Sequence, residues 1–147
     1  EINMGQITGA KSIVVNAPID KVFENFTDPE MQIKWFVEPH ELRDYTPPLG
    51  VGTTYKTVSK FMGRDAVSQQ EVIEFNPPLS QVLRYTGVGS GESQHICENL
   101  EGGTKVTLQF DVDMSGLLAK ISAPLIRRQI DKRMTADLQS FKEFIED

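Results

Sequence analysis

Cysteine, histidine and tryptophan are scarce in this chain. Its 147 residues include one cysteine, one tryptophan and two histidines. The single cysteine, Cys97, excludes an internal disulfide and any zinc site built from several cysteines. It has no local signature of a nucleophile, so we expect a small, buried and unreactive residue. With only His40 and His95 as imidazole ligands, we expect no metal site and no cofactor.

Long apolar runs and an excess of basic charge are also absent. No stretch approaches the ~18 apolar residues that a membrane-spanning helix needs, so we expect no stable membrane insertion. The net charge is −6, whereas nucleic-acid-binding domains present a basic surface, so we expect no nucleic-acid partner. Residues 1–11 lack the basic and apolar regions of an export signal. Together with the lone cysteine, this predicts a cytoplasmic protein.

Length and composition predict one domain over residues 1–147. Apolar residues make up 39% of the chain and charged residues 24%, which is ordinary for a globular protein. A chain of this size buries about two thirds of its unfolded surface, enough for a substantial core. The sequence contains no repeat, low-complexity tract or linker that would divide it.

The predicted elements are one strand, two short helices, a run of strands and a long helix. The first strand is predicted over residues 5–16, and Pro18 and Asp28 mark the starts of the two helices. An apolar stripe from Ile126 to Ile145 predicts the last helix, with Pro124 in its first turn. Glycine and proline turns separate five strand candidates, which cover residues 53–62, 65–76, 81–87, 92–100 and 104–114.

This order predicts an α+β fold, in which successive strands form an antiparallel meander. The sheet must cover its apolar face, and the long C-terminal helix is the available cover. Because a strongly curved sheet does not close tightly on a straight helix, we expect a cavity of at least ~300 Å³ between them.

An ordered set of short motifs resembles one known superfamily. The motifs include Ile13-Val14-Val15-Asn16-Ala17-Pro18, Asp28-Pro29-Glu30, Trp35, Phe75-Asn76-Pro77-Pro78 and Gly102-Gly103-Thr104. Together they resemble the START-like, helix-grip superfamily, also called SRPBCC, and within it the polyketide cyclase/dehydrase branch. The resemblance implies a curved sheet wrapped around a long C-terminal helix, with a deep apolar cavity for a hydrophobic ligand. Members include lipid carriers, aromatase/cyclases and co-chaperone domains, so the fold does not fix the activity.

Strand alternation predicts which side chains line this cavity. Two phases are open for residues 65–76. We prefer the phase that turns Gln69 and Glu71 inward, because it carries more apolar bulk near its end. The alternative phase turns inward Ala66, Ser68, Gln70 and Val72. With the preferred phase, the predicted ligand-binding residues are Trp35, Tyr55, Gln69, Glu71, Leu83, Tyr85, His95, Phe110, Ile130 and Met134.

Three functions remain open at this point. The first, which we prefer, is the binding of a hydrophobic or amphipathic small molecule by a carrier or sensor. The second is a polyketide cyclase/dehydratase-like enzyme, with Glu71 and His95 as the candidate acid–base pair. The third is a protein-interaction module of the co-chaperone type. The sequence leaves homodimerisation open.

Overall fold

The structure, a computed structural model, describes residues 6–61, 63–87, 89–113 and 117–147. Among these, the side chains of residues 6, 61 and 117–122 are outside the description. Gly5 at the start of the first predicted strand, and Met62 and Met114 at the ends of two others, lie outside the described residues.

The described chain forms seven strands and three helices in the predicted order, with one short strand added. Strand β1 (Gln6–Val15) precedes helices α1 (Ile19–Thr27) and α2 (Pro29–Trp35). The remaining elements are β2 (Glu41–Arg43), β3 (Thr54–Phe61), β4 (Arg64–Asn76), β5 (Ser80–Thr86), β6 (Ser90–Leu100), β7 (Gly103–Asp113) and α3 (Leu117–Glu146). The sequence did not predict β2, because three residues are too few to show an alternating pattern.

The seven strands pair into one antiparallel sheet with the order β1-β7-β6-β5-β4-β3-β2. Strands β3 to β7 follow one another as the predicted meander. The first strand then pairs with the last, from Gln6 opposite Asp113 to Val15 opposite Thr104. The long helix α3 packs on β1, α1 and α2. This arrangement confirms the predicted α+β helix-grip fold.

The two short helices begin where the sequence predicts. Pro18 directly precedes α1, and its φ of −69° suits entry into a helix. The Asp28 side chain caps α2 by accepting a hydrogen bond from the backbone N–H of Glu30 at 2.9 Å. The stripe that includes Val22 and Phe26 is buried on α1. It directs this helix against the end of the sheet.

Helix α3 begins earlier than predicted. It starts at Leu117 and spans 30 residues, so Pro124 lies within the helix and not near its start. A proline removes one intrahelical hydrogen bond and crowds the preceding turn, but leucine, alanine and lysine, which form helices well, fill most of residues 117–121. These residues continue the helix on the N-terminal side of the proline.

Strand β4 contains an irregularity that decides which side chains face the helix. Its register against β5 shifts between Val72, which lies opposite Leu83, and Glu74, which lies opposite Val82. Such a β-bulge adds one residue and reverses the inward face of the strand. The preferred phase is therefore wrong before the bulge, where Gln69 and Glu71 are exposed. The residues that turn inward there are those of the alternative phase, Ala66, Ser68, Gln70 and Val72. After the bulge the preferred phase holds, because Phe75 lies opposite the buried Gln81.

The closed core lies at one end of the sheet, where α1, α2 and the C-terminal half of α3 meet. Phe26, Trp35 and Phe141 form an aromatic cluster with ring centroids 5.0–5.8 Å apart. The other members of the core are Val15, Val22, Phe23, Cys97, Val106, Leu138 and Ile145, each at most 3% exposed. The predicted packing of the C-terminal helix on the sheet is therefore concentrated at this end.

Replacing a core residue of α3 tests the stability of this closed end. Leu138 is 2% exposed, so Leu138→Ala should lower the free energy of unfolding by about 2–5 kcal/mol. Urea unfolding measures the change. Leu125 lies on the same helix but is 58% exposed, so Leu125→Ala is the control and should cost less than about 0.5 kcal/mol. A cost below about 1 kcal/mol at Leu138 would contradict the assignment.

Candidate functional site

The strand register assembles the concave face of the sheet in rows. Directly paired residues of antiparallel strands point to the same face, so each row shares one side of the sheet. One row contains Ile7, Val112, Gly91, Tyr85, Gln70 and Tyr55. A second row, nearer the closed core, contains Leu108, His95, Gln81 and Phe75.

Beyond the closed core, the concave face is unevenly covered, because Ile7, Tyr55 and Val112 are buried there while other inward-facing side chains are not. Several inward-facing side chains away from the aromatic cluster are only half-buried, among them Gln70, Tyr85, Ser93 and Phe110. We call these four residues the open half. Two of them are aromatic and two are polar, a mixture that is typical of pockets for small molecules.

Two contacts fix the aromatic residues of the open half. The Tyr85 hydroxyl donates to the backbone oxygen of Asp111 at 2.5 Å. Burial, with a smaller effect of the Asp111 charge, raises the pKa of Tyr85 above its usual range, so the phenol stays neutral. The Phe110 ring lies over Gly9, where an added Cβ would come within 2.7 Å of a ring carbon. The glycine thus lets the ring lie against β1.

A cluster of three polar side chains, Gln32, Gln81 and His95, lies between the closed core and the open half. Each is at most 6% exposed. The Gln32 amide nitrogen donates to the backbone oxygen of Phe26 at 2.9 Å and lies 3.5 Å from His95 Nε2. Three buried polar atoms have no hydrogen-bond partner among the residues that the structure describes. They are the amide nitrogen and oxygen of Gln81 and Nδ1 of His95. Buried polar groups are normally paired, so this cluster is unusual.

His95 is neutral at ordinary pH. Burial lowers the pKa of His95 to about 4, and its ring packs edge-on against Phe26 with centroids 4.9 Å apart. An amide nitrogen only donates hydrogen bonds, so the contact with Gln32 makes His95 Nε2 an acceptor. The ring proton of the neutral imidazole then belongs on Nδ1, one of the atoms without a partner.

The structure places the ten predicted ligand-binding residues in four kinds of position. Trp35 is 2% exposed and belongs to the closed core, where its indole N–H donates to the backbone oxygen of Asn25. Tyr85 and Phe110 lie in the open half, and Ile130 is half-buried on α3. Four others are buried, and they are Tyr55, Leu83, His95 and Met134. The last two predicted residues, Gln69 and Glu71, are exposed on the opposite face.

The predicted pair of Glu71 and His95 does not form. Glu71 lies before the bulge in β4 and points to the outer face of the sheet, whereas His95 is buried on the inner face. The prediction that these two residues form an acid–base pair is therefore wrong. The cause is the single extra residue of the bulge, which strand alternation alone does not reveal.

Cys97 is buried and chemically protected. It is 2% exposed, and burial raises the pKa of its thiol to about 12. The thiol is therefore protonated at neutral pH, and the nucleophilic thiolate is almost absent. Among the described residues, no group of three or more histidine, cysteine, aspartate or glutamate side chains is arranged to hold a metal ion.

Two surface grooves lie beside the short helices. The first, of about 540 Å³, runs between α1 and two proline turns and includes Phe23, Leu49 and Phe75 in its walls. The second, of about 740 Å³, lies between α2 and β2 and includes Met31 and Leu42. Neither groove is lined by any predicted ligand-binding residue. The cavity expected beneath α3 stays a prediction, because the side chains of residues 117–122 of this helix lie outside the described ones.

The sequence analysis missed Gln81 and Gln32, although both left a signal. Gln81 is two and four residues before Leu83 and Tyr85, which were predicted to face inward, so the same alternation includes it. Gln32 precedes Trp35 by three residues and shares its helical face. Glutamine side chains are usually exposed, so neither pattern by itself indicates a buried polar cluster.

Comparison with known proteins places the chain in a family. Residues 6–146 match the family described as "Polyketide cyclase / dehydrase and lipid transport", and the chain belongs to this family. The resemblance found in the sequence is thereby confirmed. No curated protein matches the chain.

Solved structures share the fold at low sequence identity. The Zhui aromatase/cyclase from Streptomyces sp. R1128 is 15% identical with a TM-score of 0.76, over 96% of this chain and 94% of that one. An uncharacterized protein from Rhizobium leguminosarum is 21% identical with a TM-score of 0.73, over 96% and 95%. Ara h 8.0201 is 12% identical with a TM-score of 0.72, over 96% and 98%. At these identities the likeness concerns the fold alone. None of the described helices is long and apolar enough to cross a membrane.

The buried His95 should make stability depend on pH. Its pKa falls from the usual 6.5 to about 4 in the folded chain, so between these values the unfolded chain binds a proton that the folded chain does not. Acid therefore favours unfolding, and this residue should remove about 3 kcal/mol of stability as the pH falls from 7 to about 4.

His95→Phe isolates this contribution, because it keeps a ring and removes the titration. Urea unfolding of both proteins across this pH range gives the comparison. The stability of the wild type relative to the variant should fall steadily towards acid pH. Parallel pH curves for the two proteins would show that His95 is not buried in its neutral form.

Proposed function

We propose that this domain binds a hydrophobic or amphipathic small molecule between the concave face of the sheet and α3, as a carrier or sensor. The observation that carries the proposal is that two inward-facing aromatic side chains, Tyr85 and Phe110, are only half-buried beside polar residues. A domain that only needed a core would cover its inward aromatic residues completely.

The composition of the open half supports a small organic ligand. Tyr85 and Phe110 offer aromatic surface, while Gln70 and Ser93 offer polar atoms beside it. Both rings are already fixed by contacts with the sheet, so binding would not require them to lose much conformational freedom. The family, whose description includes lipid transport, favours the same class of ligand.

An enzymatic function has less support in this chain. The predicted carboxylate, Glu71, lies on the outer face, and His95 stays neutral without a buried carboxylate beside it. The Zhui aromatase/cyclase shares the fold, but that likeness does not supply a catalytic residue here. Binding without chemistry therefore agrees best with the residues of the concave face.

Binding of a neutral apolar dye tests this proposal. Nile red should bind the native protein saturably, with a stoichiometry near one and a rise in fluorescence. Ser93 is a small, half-buried residue between Phe110 and Leu83 in its row. Ser93→Trp would fill the open half and should weaken dye binding at least about tenfold.

Gln94→Trp is the matched control, because the next residue on the same strand points to the outer face. It should leave dye affinity within about twofold of the wild type. Thermal unfolding checks that both variants fold. Absence of saturable binding in the wild type, or equal losses in the two variants, would refute binding on the concave face.

A further inference from the structure

We propose that Gln81 and His95 form a binding site for a neutral hydroxyl group on the small molecule held at the concave face. This inference rests on the proposed function and adds to it the polar group that the ligand carries. It comes from the three buried polar atoms without a partner among the described residues, which are both amide atoms of Gln81 and Nδ1 of His95.

Leaving these three buried atoms unpaired lowers the free energy of unfolding. Gln81 is 0% exposed, and an unpaired buried donor or acceptor costs about 1–3 kcal/mol. A leucine or methionine of similar volume would fill the same space without that cost. A polar group of a bound ligand that forms hydrogen bonds with the amide explains best why glutamine occupies this position.

The chemistry of the three atoms selects the kind of group. The Gln81 nitrogen donates and its oxygen accepts, while His95 Nδ1 carries the ring proton and donates. A hydroxyl group both donates and accepts one or more hydrogen bonds, so it can satisfy the amide oxygen and a donor together. An ether or a hydrocarbon cannot donate to the Gln81 oxygen.

The electrostatics exclude a charged group. His95 remains uncharged, because burial lowers its pKa to about 4, and its close polar neighbours, Gln32 and Gln81, are also neutral. A buried carboxylate needs a cation or several donors to offset its loss of hydration. The cluster provides no cation, so a carboxylate should bind poorly.

The pair lies next to the open half along two strands. On β6, Ser93 of the open half is two residues from His95 and points to the same face. On β5, Tyr85 is four residues from Gln81 and shares its face. A flat ligand that lies against Tyr85 and Phe110 would therefore direct one end towards the pair, at the boundary with the closed core.

Three naphthalene ligands, substituted at the same ring position, test the inference by calorimetry. They are a naphthol, its methyl ether and the corresponding naphthoate. The wild type should bind the naphthol about tenfold or more tightly than the ether, as expected for about 1.4 kcal/mol, and the naphthoate most weakly. In Gln81→Leu the preference for naphthol over ether should fall to about one, while the ether binds as before.

Gln69→Leu is the control, because Gln69 is exposed on the outer face of the adjacent strand. It should keep the preference of the wild type. Gln81→Leu should also unfold at the same temperature as the wild type or a higher one, since it removes an unpaired amide. If Gln81 only supported the structure, the variant would lose stability and bind both ligands equally weakly.

Nitrogen NMR of the two histidines gives a readout that needs no variant. Binding of the naphthol should shift the Nδ1 signal of His95 and leave His40 unchanged. An unaltered preference in Gln81→Leu, or an unaltered His95 signal, overturns the inference. If all three ligands bind without preference, the hydroxyl site fails but the proposed function stands; if none binds and Nile red does not bind either, both fail.

Discussion

The contact of Phe26, Trp35 and Phe141 holds the three helices together, and the rest of the structure depends on it. Each ring comes from a different helix, and all three are almost fully buried. Polar contacts secure the same junction, because Ser140 donates to the backbone oxygen of Trp35 and Asp137 accepts from the backbone N–H of Val37 at 2.9 Å. The end of α2 is thereby fixed to the C-terminal half of α3.

This junction also bears on why part of the concave face is only half-covered. Helix α3 is fixed to the core by its C-terminal half, from Met134 to Ile145. Further towards its N-terminus, an exposed ion pair joins Lys11 of β1 to Asp131 at 3.0 Å, and such a pair contributes little. A straight helix anchored at one end diverges from a twisted sheet, which agrees with the half-buried state of Tyr85 and Phe110.

Much of this arrangement was predictable from local patterns, and the errors have specific causes. The apolar stripe of α3 predicted core residues such as Leu138, Phe141 and Ile145. The start of α3 was misplaced because a proline is usually a boundary, although Pro124 here lies within the helix. The inward face of β4 was wrong before Val72 because a bulge changes the phase without changing the composition. The polar cluster was not predicted, because its distinguishing feature is that three buried atoms lack hydrogen-bond partners among the described residues. That feature depends on three-dimensional packing and leaves no pattern in the sequence.

Separation of the closed end from the open half has a consequence for the whole fold. The rings of the aromatic junction are almost fully buried, whereas ligand contacts would come from residues such as Gln70, Ser93 and Phe110, which are only half-buried. Substitution of half-buried residues costs less than substitution in a core, so the open half can change while the fold persists. This agrees with the survival of the fold, at TM-scores of 0.72 and 0.76, in proteins only 12% and 15% identical to this chain. Gln81 and His95 lie between the closed core and the open half. Their side chains are buried and lie close to the residues of the open half. In the proposed site these two residues would select the polar group of the ligand, whereas the aromatic junction holds the helices together.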